Sequence, residues 1–339
     1  MPQMSPAADG SVEHGRWPRE LLPVFEKWVT CEYAGLTRSG APITWPVGPF
    51  VGADGRTLDL TTGLSYPSKA ERARRDPRVA LLFSDPTGTG LADPPTVLVQ
   101  GLATVRDADL QANTDRYVSA VEAKYPGALG RQPRFLLRRQ AWYWTRIWIE
   151  VTPLRILWWP GGRLDAPPSR WEAAGDVVAP PSDPGPPGSD APGWLPPPAD
   201  WRPRADQAVR HGAPVLTVTD VDGWPLPLRT LGAERVADGF VVRTGPIGVI
   251  ARGRACLTFH SFDEDMNSQD NVVLVGEATP VAGGVHVRVE RALGDFSLSG
   301  SALRQMLKLM SSARVLRPRL TREAARRGQR IPELRLPGE

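Results

Sequence analysis

The order of short apolar runs and turns in residues 31–105 recurs in residues 215–281. This repetition constrains the architecture more than any single motif does. "YAGLTRSGAPITWPV" is answered by "PVLTVTDVDGWPLPLRT": each has a Thr, a polar turn, Gly-x-Pro and an apolar continuation. "DGRTLDLTTG" is answered by "DGFVVRTG", "RRDPRVALLFS" by "ARGRACLTFH", and "TVLVQGLATV" by "NVVLVGEATPV". The matched pairs Gly40/Gly223, Gly55/Gly239, Phe83/Phe259 and Gly101/Gly276 stand about 175 to 185 residues apart. Four elements in one order at a nearly constant offset indicate a duplication, two copies of one fold in one chain.

Within a copy the runs are separated by turns such as Ser39-Gly40 and Asp54-Gly55. Gly supplies the positive φ that tight turns need, so these are hairpins. Leu21–Thr30 has the pattern of a short amphipathic helix. "DADLQANTDRYVSAVEAKY" has helical period after a capping Asp107 or Asp109, and "TRIWIEVTPLRILWW" closes the copy as a strand. Five or six short antiparallel strands with one or two helices per copy predict a mostly β (α+β) chain of two small closed or partly closed barrels. Such copies can pair as an internal pseudo-dimer. Between them, residues 161–205 include "APPSDPGPPGSDAPGWLPPPADWRPR", too rich in Pro and Gly for helix or sheet to propagate. The expected organisation is a first barrel over 1–160 and an extended linker over 161–205, docked through Trp171, Trp194 and Trp201. A second barrel over 206–320 follows, then a basic tail over 321–339. "RPRLTREAARRGQR" reads as a solvated basic helix.

Composition matters for what it excludes. The two cysteines, Cys31 and Cys256, and the four histidines, His14, His211, His260 and His286, are scattered without metal-ligand spacing. No metal site and no disulfide framework is expected, which fits a reducing compartment. The N-terminus has no apolar signal core and no run approaches a membrane span, so a soluble, cytoplasmic protein is expected. The net charge of +4 sits mostly in local arginine clusters rather than in a basic stripe interleaved with aromatics, which argues against a nucleic-acid partner. No Ser-His-Asp or paired-carboxylate pattern is legible, which argues against a hydrolase.

Chemistry concentrates in "TTGLSYPSKAERARRDPRVALLF", residues 61–83. Ser68 followed by Glu71 fits a capping box, which would start a short helix at Lys69. Unpaired N–H groups at that helix start, beside Lys69 and Arg72, are the ingredients of a phosphate site, with Thr61, Thr62 and Ser65 as hydroxyl donors. The alternative is a surface helix whose cations are simply solvated. Helical spacing puts Lys69, Arg72 and Arg75 on one side and leaves Arg74 and Arg78 to solvent. The second copy decides between the two: its "PIGVIARGR" keeps the flanking strands but drops the lysine, so the strands do not need Lys69 to fold. Trp144, Arg146, Trp148 and Glu150 share one face of a strand, read as packing between the barrels.

"LDLTTGLSYPSKAERARRDPRVALLF", then "VLVQGLATVRDAD", then "RIWIEVTPLRILWW" resembles the pyridoxamine 5'-phosphate oxidase-like family of flavin-binding split barrels. The resemblance covers about residues 20–160 well and 206–285 more weakly. It implies two paired barrels with a flavin in the groove between them. Carried over by position, Thr61, Thr62, Ser68, Lys69 and Arg72 become phosphate or ribityl contacts, Gln100 a cofactor-facing residue, and Thr44 and Trp45 neighbours of the ring. Val275 replaces Gln100 in the second copy, which implies one cofactor per chain, with Arg243, Arg252 and His260 as contributors from the second barrel. The expected function is a flavin-dependent oxidoreductase, using FMN or the deazaflavin coenzyme F420, that acts on a small organic substrate. No acid or base is assigned, and the chain is expected as a monomer or a further homodimer. The alternative is a non-catalytic flavin- or haem-binding protein, in which the histidines would matter.

Overall fold

A computed structural model describes residues 17–131, 133–188, 191–193, 196–245, 251–264, 268–294, 297 and 302–336. The first half contains β1 (Cys31–Leu36), β2 (Pro42–Val47), β3 (Phe50–Val51), β4 (Leu58–Gly63), β5 (Arg78–Phe83), β6 (Thr96–Arg106) and β7 (Arg146–Trp159). Strand β8 (Ser169–Glu172) follows. The second half contains β9 (Val215–Thr219), β10 (Pro225–Arg229), β11 (Gly232–Val236), β12 (Gly239–Arg243), β13 (Gly253–Phe262), β14 (Gln269–Val281) and β15 (Gly284–Ala292). Helices are α1 (Leu22–Lys27), α2 (Ser68–Arg75), α3 (Leu110–Lys124), α4 (Arg134–Arg139), α5 (Ala141–Trp144), α6 (Arg202–Ala208) and α7 (Ala302–Arg326).

The first sheet runs β2-β1-β5-β6-β7-β4-β3, and the second runs β10-β9-β13-β14-β15-β12-β11. Taken in chain order these are the same arrangement, so the repeat in the sequence is a repeat of topology. Each sheet is also forced to curl. Its two edge strands are consecutive in the chain: β2 ends at Val47 and β3 begins at Phe50, while β10 ends at Arg229 and β11 begins at Gly232. Two linking residues span only about 10 Å, so each sheet rolls into a barrel left open along one seam. The fold is mostly β, two tandem split barrels with short helices.

Both copies carry a bulge at one place: opposite Gln100–Gly101 of β6, where β7 holds the extra Leu154, and opposite Val275–Gly276 of β14, where β15 holds the extra Glu290. The glycine is required there: a Cβ would lie 2.4 Å from the Thr152 carbonyl oxygen at Gly101, and 1.9 Å from that of Arg288 at Gly276. Gly55 and Gly239 are not equivalents, because Gly55 sits in a turn and Gly239 opens β12.

The first barrel is filled by Leu58, Leu60, Leu81, Phe83, Val97 and Ile149, with the ring of Phe25 of α1 tilted against that of Phe83 at 5.2 Å. The second is built around Phe240 and Phe259, whose rings are 5.0 Å apart. Strand β1 is buried at every position because both its faces are covered. Tyr33 faces the barrel core, while Ala34 packs outward with Ala80, Leu82, Leu98 and Trp159 of its own half and with Val215 of the other. A second cross-half cluster joins Ile43 to Cys256, Val273, Val275 and Leu293.

Two expectations need correction. Residues 161–205 are not wholly extended: Ser169–Glu172 contains neither Pro nor Gly and adds to the edge of β7 where β4 stops, pairing with Arg155–Trp158. Trp171 packs against the first core and Trp201 belongs to the second, whereas Trp194 lies outside the described residues. The basic tail is not a solvated helix either. Leu316, Leu320 and Ala324 of α7 enter the core of the first barrel. Arg327 is nearly inaccessible, held by Glu71 at 2.9 Å and by Asp107 and Glu323 at 2.8 Å. Its partners from the first barrel lie far upstream, so the linear run of cations conceals its neutralisation. No helix among the described residues is long and apolar enough to cross a membrane.

Candidate functional site

A cavity of about 850 Å³ lies between the halves. The first half supplies the β1–β2 hairpin, the end of β4, α2, α3 and the α5–β7 junction. The second half supplies Gln269 and Asn271 of β14, Arg291 of β15 and Leu293. Helix α2 is placed by Ala70 and Ala73, which are small enough to pack flat on the core. Pro67, not Ser68, occupies its N-cap, and no side chain caps it. The capping box is therefore not formed. Glu71 turns instead to Arg327 and to Arg74, at 3.4 Å. Ser68 becomes the first helical residue, and its hydroxyl and backbone N–H stay available at the positive end of the helix.

Lys69, Arg72 and Arg75 line the cavity. Among the described residues Lys69 and Arg72 have no carboxylate partner. Burial first, then Arg72 and Arg146, push the Lys69 ammonium down to about 7. Burial, with Arg75 adding to it, pushes the Arg72 guanidinium down to about 10. Lys69 Nζ stands 5.7 Å from the centre of the Trp45 ring. Both shifts have one cause: positive charge is held in a half-buried place without its counter-charge.

Arg146 completes the set, and its sequence reading as a packing residue missed this. Its guanidinium is sandwiched between the rings of Tyr143 at 4.3 Å and Tyr117 at 4.5 Å. It donates to the hydroxyls of Tyr66 and Tyr117, each at 3.2 Å. Gly63 makes room for this, since a Cβ there would lie 2.4 Å from Tyr66 Cζ. Arg146 is buried, yet its Nε has no partner and no carboxylate faces it among the described residues. Burial works against its charge, but the oxygens of Tyr117, Tyr66 and Tyr143 outweigh it and hold its pKa above the ordinary arginine value. An arginine inside the apolar run "RIWIEV" was the available signal, because a buried guanidinium needs partners.

The cavity gathers Thr61, Thr62, Ser68, Lys69, Arg72 and Trp45. Thr62 donates to the Tyr66 carbonyl at 3.2 Å, leaving Thr61 and Ser68 as the free hydroxyls. Thr44 and Gln100 do not line it. Thr44 lies 2.5 Å from the Thr217 hydroxyl and accepts from Thr258 on its carbonyl. Gln100 donates to Asp220 and to the Pro225 carbonyl, both at 3.1 Å, and accepts from Arg155. Both residues fasten one barrel to the other. Arg243 and Arg252 do not line the cavity, and Arg78 is paired with Asp76 at 2.7 Å. Arg74, expected in solvent, is mostly buried against Asp107 at 2.9 Å.

Among the described residues, the twin of this cavity is nearly filled. Strand registers match Thr44 to Pro227, Trp45 to Leu228, Pro46 to Arg229 and Asn271 to Thr96. Around Pro227, Leu228, Arg229 and Thr96 only about 10 Å³ remains, closed by Trp159, Leu164 and Leu82.

His211, His260 and His286 all lie away from the cavity. His260 bonds Glu32 at 2.8 Å across the two halves, with both side chains buried. His211 contacts Ser261 at 2.9 Å and Asp270 at 3.5 Å, a Ser, His and Asp set that the linear sequence does not show. Burial opposes the charge of Asp270, but bonds from His211, Ser297 and Gln207 outweigh it and hold the carboxyl well below its usual range. This set joins the turn after α6 to β13 and β14 and does not border the cavity.

No protein-family model and no curated protein matches the chain. Solved structures do. An F420 reductase is 20% identical over 39% of this chain and 92% of its own, with a TM-score of 0.30. A conserved hypothetical protein from Mycobacterium tuberculosis is 21% identical over 49% of this chain and 98% of its own, with a TM-score of 0.34. A Clostridium acetobutylicum protein related to general stress protein 26, of the pyridoxinephosphate oxidase family, is 12% identical over 44% and 89%, with a TM-score of 0.30. In these comparisons, nearly the whole of each known protein lies over less than half of this chain.

Proposed function

We propose that the cavity binds a flavin-type cofactor, FMN or the deazaflavin coenzyme F420, and that the chain is an oxidoreductase acting on a small organic molecule. One observation carries this reading: Lys69, Arg72 and Arg146 face one cavity without a carboxylate among the described residues to neutralise them. A ligand that is both anionic and aromatic fits such a place. Its volume lies in the range of roughly 300–1,000 Å³ that suits small-molecule and cofactor sites. Trp45, Phe50, Tyr143 and Trp144 supply flat apolar walls. The hydroxyls of Thr61 and Ser68 and the start of α2 supply donors beside the cations. A flavin, when bound, supplies hydride or electron-pair transfer. The residues present would bind its phosphate through Lys69 and Arg72, orient its ring against the aromatic walls and exclude water from it. A haem is less well served, because none of the described histidines lines the cavity.

Titration of the purified protein with FMN and with F420, followed by visible absorption and fluorescence, tests the reading. Saturable binding of one of them is expected, with Lys69→Ala weakening it by about 1.5–3 kcal/mol, the size of a lost charge-assisted hydrogen bond. Equal affinity in a folded Lys69→Ala protein would remove the phosphate cradle. A Soret band on the isolated protein would replace the flavin by a haem.

A further inference from the structure

The cavity carries a second set of cations at its mouth. Arg38 in the β1–β2 hairpin, Arg75 in the last turn of α2 and Arg291 at the end of β15 all line it, and all three are exposed. They come from three elements and from both halves of the chain. None of the three makes a hydrogen bond or ion pair among the described residues. Asp76 and Glu290 feel Arg75 and Arg291 but are committed elsewhere, to Arg78 at 2.7 Å and to Arg254 at 2.8 Å. The carboxylate that does line the cavity, Glu71, is held by Arg327.

The duplication supplies an internal control. Arg155 pairs with Gln100 across β6 and β7 as Arg291 pairs with Val275 across β14 and β15, so the two arginines are twins. Arg155 is tied down by Gln100 at 3.1 Å, Glu172 at 3.4 Å and Asp220 at 3.9 Å. On the side where the cavity is filled, the arginine is satisfied by protein. On the side where the cavity is open, it is left for something else.

We propose that the molecule that meets the cofactor is itself a small organic anion, a carboxylate or a phosphate ester, held at the mouth by Arg38, Arg75 and Arg291. This rests on the flavin reading above. The inner cations already match the charge of about −2 on one phosphate at neutral pH, so the outer set is surplus to a flavin mononucleotide. A guanidinium fork matches a carboxylate or phosphate through two parallel bonds. Three like charges around a concave mouth also raise the local concentration of an anion and speed its arrival.

The test loads the protein with FMN and titrates it with citrate, read by the flavin absorption band. A saturable change is expected with FMN still bound. The double variant Arg38→Gln/Arg291→Gln should weaken citrate binding by about tenfold or more while FMN affinity stays within about twofold. Two results overturn the proposal: citrate displacing FMN instead of binding beside it, or the double variant binding citrate as well as the parent. If neither FMN nor F420 binds, the flavin reading fails on its own, and the mouth is tested on ligand-free protein through its tryptophan fluorescence, with Trp45 and Trp144 in the cavity wall. There a citrate affinity lowered in the double variant supports the anion site, and an unchanged one overturns it. Both substitutions lie at exposed positions, so far-UV circular dichroism should show parent-like folding.

Discussion

Lys69 holds its charge at a cost that a ligand can remove. With burial, Arg72 and Arg146 pushing its ammonium down to about 7, much of the free protein carries a neutral lysine just above neutral pH. A bound phosphate favours the charged form, so binding takes up a proton wherever the free site has lost it. Affinity for FMN should therefore fall as pH rises above about 7, by up to tenfold per unit. Lys69→Arg, which stays charged, should show a flat profile from pH 7 to 9 in the same titration. A flat profile in the parent would place the lysine outside the site. The opposite sign governs stability without ligand, because folding disfavours the charged lysine that a bound phosphate favours. Lys69 and Lys124, which burial pushes down to about 8, are protonated more in the unfolded chain between those values and about 10.4. Unfolding free energy should rise with pH through that window, as urea melts at pH 7 and 9 can show. At this scale the sequence was informative where a helix repeats charge every third residue and where the second copy drops it. It marked Arg146 only as a packing residue, because its significance rests on Tyr66, Tyr117 and Tyr143, brought from three separate elements. Gln100 illustrates the converse. A polar residue in an apolar strand does need a partner, but here the partner is the other barrel.

Helices α2 and α7 depend on one buried network. Arg327 is 3% exposed and faces Glu71, Asp107 and Glu323, at 22%, 2% and 3%. Its removal leaves carboxylates in a low-dielectric place with less cation than they need. Arg327→Met should cost about 3–5 kcal/mol in urea unfolding, the usual result of breaking a buried pair from one side. A loss below about 1 kcal/mol would mean the tail behaves as the solvated helix its composition suggests. The variant should also weaken anion binding, because Glu71 lines the cavity and would keep only Arg74, at 3.4 Å, against its charge. Strand and helix positions were legible from hairpin glycines and periodicity. The docking of α7 on the first barrel, after a second barrel has intervened, was not, because the acids that accept its arginines are far away in sequence.

The halves are joined through apolar clusters and a few buried polar pairs, so they should unfold together. His260→Leu removes the 2.8 Å partner of Glu32, whose side chain has no solvent access and keeps Ser84 at 2.9 Å and Arg229 at 3.7 Å. A loss of about 2–4 kcal/mol is expected, with the unfolding curves from tryptophan fluorescence and far-UV circular dichroism still coincident. Separated curves would show two independent domains rather than one cooperative body. The filled twin cavity carries a consequence of another kind. In a pair of identical subunits every substitution is made twice, so one mouth cannot be altered while its mate is kept. A single gene holding both barrels escapes that constraint. Here the escape is visible in side chains: Trp159 and Leu164 seal one face, while Gln269, Asn271, Arg291 and Leu293 are free to vary in the service of the other mouth alone.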